Sequence, residues 1–238
     1  MIMRIPNCCT IARTLFVKQS AYHEMFLKVR KLMFHKGLII VVSGFSGAGK
    51  GTLMKELIGR YDCYALSVSA TTRSPRPGEV DGREYFFVTN DEFEKLIKEN
   101  GLIEHAGYVD HYYGTPRKFV EDKLSQGIDV ILEIEIQGAL QIKEQYPDAV
   151  LLFVMPPSAA ELEKRLRGRG TETDEVIAQR LKRAKEESVG IEKYDYIVVN
   201  DDLEECTVRL HNIIQAAHNT PSRNLDFIET IRDELSRL

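Results

Sequence analysis

The 238-residue sequence is poor in cysteine, and its four, Cys8, Cys9, Cys63 and Cys206, form no C-x-x-C pair with a matching partner. A disulfide framework and a zinc site are set aside on that ground, and a reducing compartment is the simple reading. Positive charge is not in excess: 32 Lys and Arg face 36 Asp and Glu, a formal charge of −4. General nucleic-acid binders are usually basic, so that class is excluded, although local positive pockets for phosphate are not. No apolar run approaches the ~18 residues of a membrane span. Repeats and low-complexity tracts are absent. What remains is a globular composition, long enough for one or two domains and a substantial core.

The organising stretch is Gly44-Phe45-Ser46-Gly47-Ala48-Gly49-Lys50-Gly51-Thr52. It follows the apolar run 38–42 and precedes Leu53, Met54, Leu57 and Ile58 at helical spacing, closed by Gly59. Strand, glycine-rich turn and helix together predict a phosphate loop. Glycines let backbone N–H groups turn inward around an anion. The helix N-terminus adds partial positive charge, and Lys50 reaches the outer phosphates of a nucleoside triphosphate. The strict pattern has Ser or Thr directly after the lysine, as a magnesium ligand. Here Gly51 stands there and Thr52 follows. Thr52 is therefore the candidate ligand for Mg2+, directly or through water.

Further apolar runs at 64–68, 130–134, 150–155 and 196–199 read as short buried strands between long, more polar connections. Such alternation predicts an α/β fold, a central parallel sheet with helices on both faces. Ligands of these sheets collect at the carboxyl ends of the strands. The runs end in polar residues: Ser43, Ser69, Glu135 and Asn200.

Residues 1–36 differ from the rest. Arg4, Arg13, Lys18, Lys28, Arg30, Lys31 and Lys36 face a single acid, Glu24. That composition fits an organelle transit peptide or an amphipathic arm. The preferred reading is a start assigned too far upstream, with Met33 as the natural beginning.

In the segment 69–85, Arg73 and Arg76 are three apart and stiffened by Pro75 and Pro77. They can face one anion, because the guanidinium fork donates two parallel hydrogen bonds to phosphate. Val80-Asp81-Gly82-Arg83 predicts a hairpin turn on its Asp-Gly signal. Taken alone, the segment also fits an ordinary solvated loop. Glu133 and Glu135 alternate along an apolar strand and so share a face. Rim acids and acids that orient metal-bound water both fit that pattern.

Together these stretches resemble guanylate kinase. Thr71-Thr72, Arg73, Arg76, Glu79, Gly82, Tyr85 and Phe87 fill every position of that family's second signature. The likeness runs from about residue 37 to 202. It implies ATP:GMP phosphotransfer with Mg2+, dGMP as a further acceptor, and a role in purine nucleotide metabolism and GMP recycling. It implies GMP binding by Ser69, Arg73, Arg76, Tyr85, Glu104, Tyr113 and Thr115. Glu104 would accept from both guanine donors, N1–H and the 2-amino group, whereas adenine presents an acceptor at N1. Ser69 and Thr115 complete the base contacts, and Arg73, Arg76, Tyr85 and Tyr113 hold the phosphate. Glu133 and Glu135 assist GMP and metal-bound water, in places where the family usually has Asp at the second and often at the first. Arg165, Arg169 and Arg180 match lid arginines around a Gly-Arg-Gly hinge, and Asn200 matches an adenine-side contact.

The GMP phosphate is already an anion at neutral pH, so positioning and charge neutralisation carry the chemistry. His105 and His111 are accordingly read as non-catalytic. The implied organisation is an N-terminal extension, 1–36, and a kinase domain, 37–220. The domain divides into a core (37–68, 125–157, 187–220), a GMP-binding subdomain (69–124) and a lid (158–186). A C-terminal helix, 221–238, follows. Thr220-Pro221 reads as its N-cap and first residue. Its apolar stripe is Ile228, Ile231, Leu235 and Leu238. The partners are ATP and GMP, with no nucleic acid and no membrane, in a cytoplasmic monomer or homodimer. Two alternatives share part of this pattern. An adenylate-kinase-like enzyme fits the loop but not Glu104 and the 69–85 motif. A phosphopeptide-binding scaffold would have a degraded loop without Lys50.

Overall fold

Apolar runs without alternation suit strands that are covered on both faces. The computed structural model describes residues 36–108, 110–168 and 173–238. Residues 1–35, with Cys8, Cys9 and Met33, and Arg169 lie outside the described residues. The first elements are β1 (Ile39–Gly44), α1 (Lys50–Arg60), β2 (Tyr64–Leu66), β3 (Ala70–Thr71), β4 (Phe86–Phe87) and α2 (Asn90–Lys98). Then come β5 (Leu102–Tyr108), β6 (His111–Pro116), α3 (Arg117–Ser125), β7 (Asp129–Glu133) and α4 (Ile136–Gln145). The last are β8 (Val150–Met155), α5 (Ala159–Gly168), α6 (Asp174–Glu187), β9 (Tyr196–Val199), α7 (Leu203–Ala217) and α8 (Leu225–Leu235).

The five predicted runs form one parallel sheet in the order β2-β7-β1-β8-β9. Ile40, Val41, Leu132, Leu151 and Phe153 are fully buried in it. Helices flank the sheet; α1 buries Leu53, Met54 and Leu57. Gly59 does not end that helix, which runs on to Arg60. Ser43, at the end of β1, donates to Ile134 O at 2.6 Å and ties the loop's base to the turn after β7.

A second, mixed sheet has the order β4-β3-β6-β5. Its small core is Ala70, Phe93 and Leu102. Phe93 is delivered by α2, whose start is fixed by a capping box between Thr89 and Glu92. Burying that ring is worth ~3 kcal/mol. The segment 80–83 does not form the expected hairpin. The chain does turn, with Gly82 at φ 77 and its N–H bonded to Tyr85 O at 2.8 Å. However, Asp81 bridges Tyr85 in the parallel sense, and β4 pairs parallel with β3. Asp81 Oδ1 accepts from Phe87 N at 2.8 Å, so a side chain closes the turn in place of an antiparallel ladder.

Two compact units are distinguished, one of them Lys36–His218 and the other including Asn219–Leu238. In the second, Thr220-Pro221 opens a short 3₁₀ turn, and α8 begins only at Leu225 with Asn224 as its N-cap. Ile231, Leu235 and Leu238 of the expected stripe are exposed.

Candidate active site

β1 ends in the phosphate loop. Gly49 caps α1 in the left-handed region, φ 88, with no side-chain cap on the helix. The first-turn N–H groups therefore remain available to an anion. A Cβ at Gly49 would stand 2.5 Å from Asn200 Nδ2, so glycine is required by contact as well as by conformation. Lys50 Nζ donates to Gly44 O at 2.6 Å and Phe45 O at 3.3 Å, which holds the ammonium over the loop. Gly51 is different: among the described residues a Cβ there would meet nothing within 4 Å, so packing against them does not demand glycine. Thr52 is exposed on the first turn of α1.

Part of the loop belongs to the core. Ala48 is fully buried, and Phe45 packs edge-on against Phe153 at 5.1 Å. The loop is also held from the lid side. Arg165 on α5 donates to Asn200 O at 2.9 Å and Ala48 O at 3.4 Å while paired with Glu161 at 3.0 Å. Arg180 on α6 donates to Ser46 Oγ. Asn200 Nδ2 donates to Ala48 O at 2.8 Å.

The second sheet supplies the opposite wall. Glu104 and Thr115 are direct cross-strand partners on β5 and β6. Both are buried, and Thr115 Oγ1 donates to Glu104 Oε1 at 2.6 Å. Burial pushes the Glu104 carboxyl up to about 6, against the pull of Thr115. Arg73 is fixed by Glu79 Oε1 at 2.9 Å and lies over the Tyr85 and Phe87 rings at 5.3 and 5.7 Å. Glu79 Oε2 accepts from Arg76 N at 2.7 Å, so one carboxylate aligns both arginines. Tyr85 meets Tyr113 at 6.0 Å, and burial raises the Tyr85 phenol above its usual range.

Glu133 ends β7, and Glu135 is the N-cap of α4. Burial raises the Glu133 carboxyl, opposed by Lys50. Burial, then Glu187, raises Glu135, opposed by Arg183 and Lys50. Both stand in the cleft wall, so protein surrounds each carboxyl while one edge stays open to the cleft's solvent.

Lys50, Arg73, Arg76, Tyr85, Glu104 and Tyr113 line one cleft of about 1010 Å³, together with Gly44, Ser69, Glu133 and Glu135. That volume stands at the upper end of the ~300–1,000 Å³ usual for small-molecule sites. Phe45, Ser46, Gly47, Ala48, Gly49, Gly51 and Thr52 of the loop are not among the lining residues. Thr115, Arg165, Arg180 and Asn200 are not either. They reach the cleft through the loop or through Glu104. Sequence reasoning missed Arg183, which lines the cleft and pairs with Glu135 at 3.5 Å and Glu187 at 2.7 Å. It also missed α4, whose Gly138 borders the cleft against Glu104. Their mixed-charge and apolar surroundings carry no local signal.

The model of the guanylate kinase family matches residues 36–217. A curated guanylate kinase of Caldanaerobacter subterraneus subsp. tengcongensis is 49% identical over 199 residues, 84% of this chain and 97% of that protein. One from Streptococcus agalactiae serotype III is 54% identical over 187 residues, 78% of this chain and 90% of that protein. The crystal structure of guanylate kinase from Anaplasma phagocytophilum superposes with a TM-score of 0.65 at 36% identity, covering 79% of this chain and 90% of that one.

Proposed function

Because this chain belongs to the guanylate kinase family, we propose that the cleft between the phosphate loop and the second sheet is where it transfers the γ-phosphoryl group of ATP to GMP. The observation that carries this reading is the pairing of opposites in one cavity. Lys50 stands over the N-terminus of α1 at one side, and a buried carboxylate, Glu104, stands at the other.

In this reading ATP's phosphates lie on the loop N–H groups between Gly47 and Thr52, except that of Ala48, which donates to Phe45 O at 3.0 Å, with Lys50 at the outer phosphates. Arg165 and Asn200 keep the loop in shape, and Arg180 and Arg183 bring positive charge from α6. GMP lies across the cleft. Arg73, Arg76, Tyr85 and Tyr113 hold its phosphate, and Glu104, supported by Thr115 and Ser69, accepts from guanine N1–H and the 2-amino group. A phosphate oxygen of GMP, already anionic, forms the new bond to the γ-phosphorus as the bond to the β-phosphate oxygen breaks. No strong base is needed, and the residues act by alignment and charge neutralisation. The segment 69–124 acts as the acceptor subdomain and 158–186 as the lid, which closes to exclude water.

The donor set fits Mg2+ held mostly by phosphates and water. Among the described residues no group of three His, Cys, Asp or Glu could hold a metal by itself. Thr52, Glu133 and Glu135 are the groups that would steady its water shell. When bound, Mg2+ neutralises charge on the β- and γ-phosphates. dGMP is a further acceptor, since none of the proposed contacts uses the 2′-hydroxyl. Among the described residues no helix is long and apolar enough to cross a membrane, and Cys63 and Cys206 are free thiols. A reducing, ATP-rich cytoplasm is the compartment we assign.

Glu104→Gln tests the assignment. The amide keeps one acceptor and presents a donor to the base, so the preference for GMP over AMP shrinks. Unchanged selectivity in that variant would remove Glu104 from base reading.

A further inference from the structure

Glu104 does not reach the cleft by simple alternation along β5. Leu102 pairs with Pro116 and Glu104 with Thr115, so Ile103 is an extra residue. An irregularity of this kind re-aims the side chain that follows it. Three successive residues are consequently buried: Leu102 in the small core, Ile103 in the main core and Glu104 at the cleft.

β5 is the edge of its sheet, and α4 covers it. Gly138, Gln141 and Gln145 are three and four residues apart and so share a helix face. Gln141 clasps His105 at both backbone groups, accepting from its N–H at 3.2 Å and donating to its carbonyl at 3.0 Å. Gln145 Nε2 donates to Ile103 O at 3.0 Å. The helix thus holds the strand on each side of Glu104.

Gly138 faces the carboxylate itself. A Cβ there would lie 2.5 Å from Glu104 Oε2, 3.2 Å from its carboxyl carbon and 3.2 Å from Ile134 Cδ1. The residue sits within α4, whose backbone alanine adopts readily. Conformation therefore does not require glycine at 138, whereas the carboxylate does.

We propose that Gly138 is a specificity-positioning residue, leaving the space in which Glu104 Oε2 stands while Gln141 fixes the strand that brings it there. The proposal rests on Glu104 being the guanine-reading group. A methyl at 138 displaces the free end of a flexible side chain and not backbone, so the fold survives. What is lost is the carboxylate's bond to Thr115 and its register with the two guanine donors.

The test is steady-state kinetics on Gly138→Ala, Glu104→Gln and the double variant, with thermal melting alongside. Gly138→Ala raises KM for GMP by roughly 10- to 100-fold, as small displacements of positioning groups do. KM for ATP and kcat at saturating GMP change much less, and the fall in melting temperature that the displaced buried carboxylate causes is restored by adding Glu104→Ala. In the Glu104→Gln background the same methyl costs less than about threefold, because the two residues act as one unit. A wild-type KM for GMP in Gly138→Ala, beside an impaired Glu104→Gln, overturns this inference alone. Unaltered GMP selectivity in Glu104→Gln overturns the reading of Glu104 and this inference with it. A melting temperature lowered by Gly138→Ala and not restored by adding Glu104→Ala places the clash elsewhere, and also overturns it.

Discussion

Asn200 Nδ2 donates to Ala48 O at 2.8 Å, in a buried contact that joins the end of β9 to the phosphate loop. The same amide nitrogen fills the space that a side chain at Gly49 would need. Asn200 therefore holds the loop's shape from beneath. Beside the adenine-side role proposed for it from the family resemblance, its place in the fold gives it support of the loop itself.

Asn200→Ala leaves Ala48 O with the longer 3.4 Å contact from Arg165. Removing one partner of a buried hydrogen bond costs ~1–3 kcal/mol. KM for ATP is expected to rise roughly 5- to 100-fold, with KM for GMP nearly unchanged. Steady-state kinetics with each substrate varied in turn would check this. Equal increases for both substrates would contradict the loop-support role.

Lys50→Met removes the ammonium held over Gly44 O. Loss of one preorganised charge at a phosphoryl-transfer site is expected to lower kcat roughly 10²- to 10³-fold. GMP affinity, measured by calorimetry, should persist, because the proposed acceptor groups lie between residues 69 and 115, outside the phosphate loop. Near-normal turnover would remove Lys50 from the chemistry.

The parallel sheet was legible because its strands are covered on both faces, so they appear as uninterrupted apolar runs such as 38–42 and 150–155. The second sheet was not. β3 and β4 are two residues each, too short for any period, and Asp81-Gly82 signalled a hairpin where Asp81 instead closes a turn onto Phe87 N. Arg73, Arg76 and Glu79 could be found because prolines, spacing and charge are written locally. Glu104 looks like any surface acid until the extra residue at Ile103 and the approach of α4 bury it. Gly138 and Arg183 matter through neighbours distant in sequence, which single-chain periodicity does not encode.

The Glu104 carboxyl is raised from 4.5 to about 6 by burial. Between those values the native chain keeps a proton that the unfolded chain has released, so stability falls as pH rises across the window. That rise corresponds to ~2 kcal/mol for a group this buried. Glu104→Gln avoids that cost. Its stability relative to the parent, from urea unfolding, is expected to improve by ~2 kcal/mol between pH 4 and pH 7. A difference independent of pH would show that Glu104 is not the group responsible.

The acid limb of GMP use offers a second reading of the same group. Protonated Glu104 cannot accept from both guanine donors, so kcat/KM for GMP should fall as pH drops below about 6. The second phosphate proton of GMP titrates near pH ~6 as well. The informative quantity is therefore the part of the limb present in the parent and absent from Glu104→Gln. Superimposable profiles would contradict a base-reading carboxylate.

Acceptor selectivity is read from the initial rate of ADP formation from ATP with GMP, dGMP, AMP or UMP as acceptor. GMP is expected to be the best acceptor, with dGMP used and AMP and UMP slower by orders of magnitude, because only guanine offers two adjacent donors to Glu104. Faster turnover of AMP than of GMP would contradict the account.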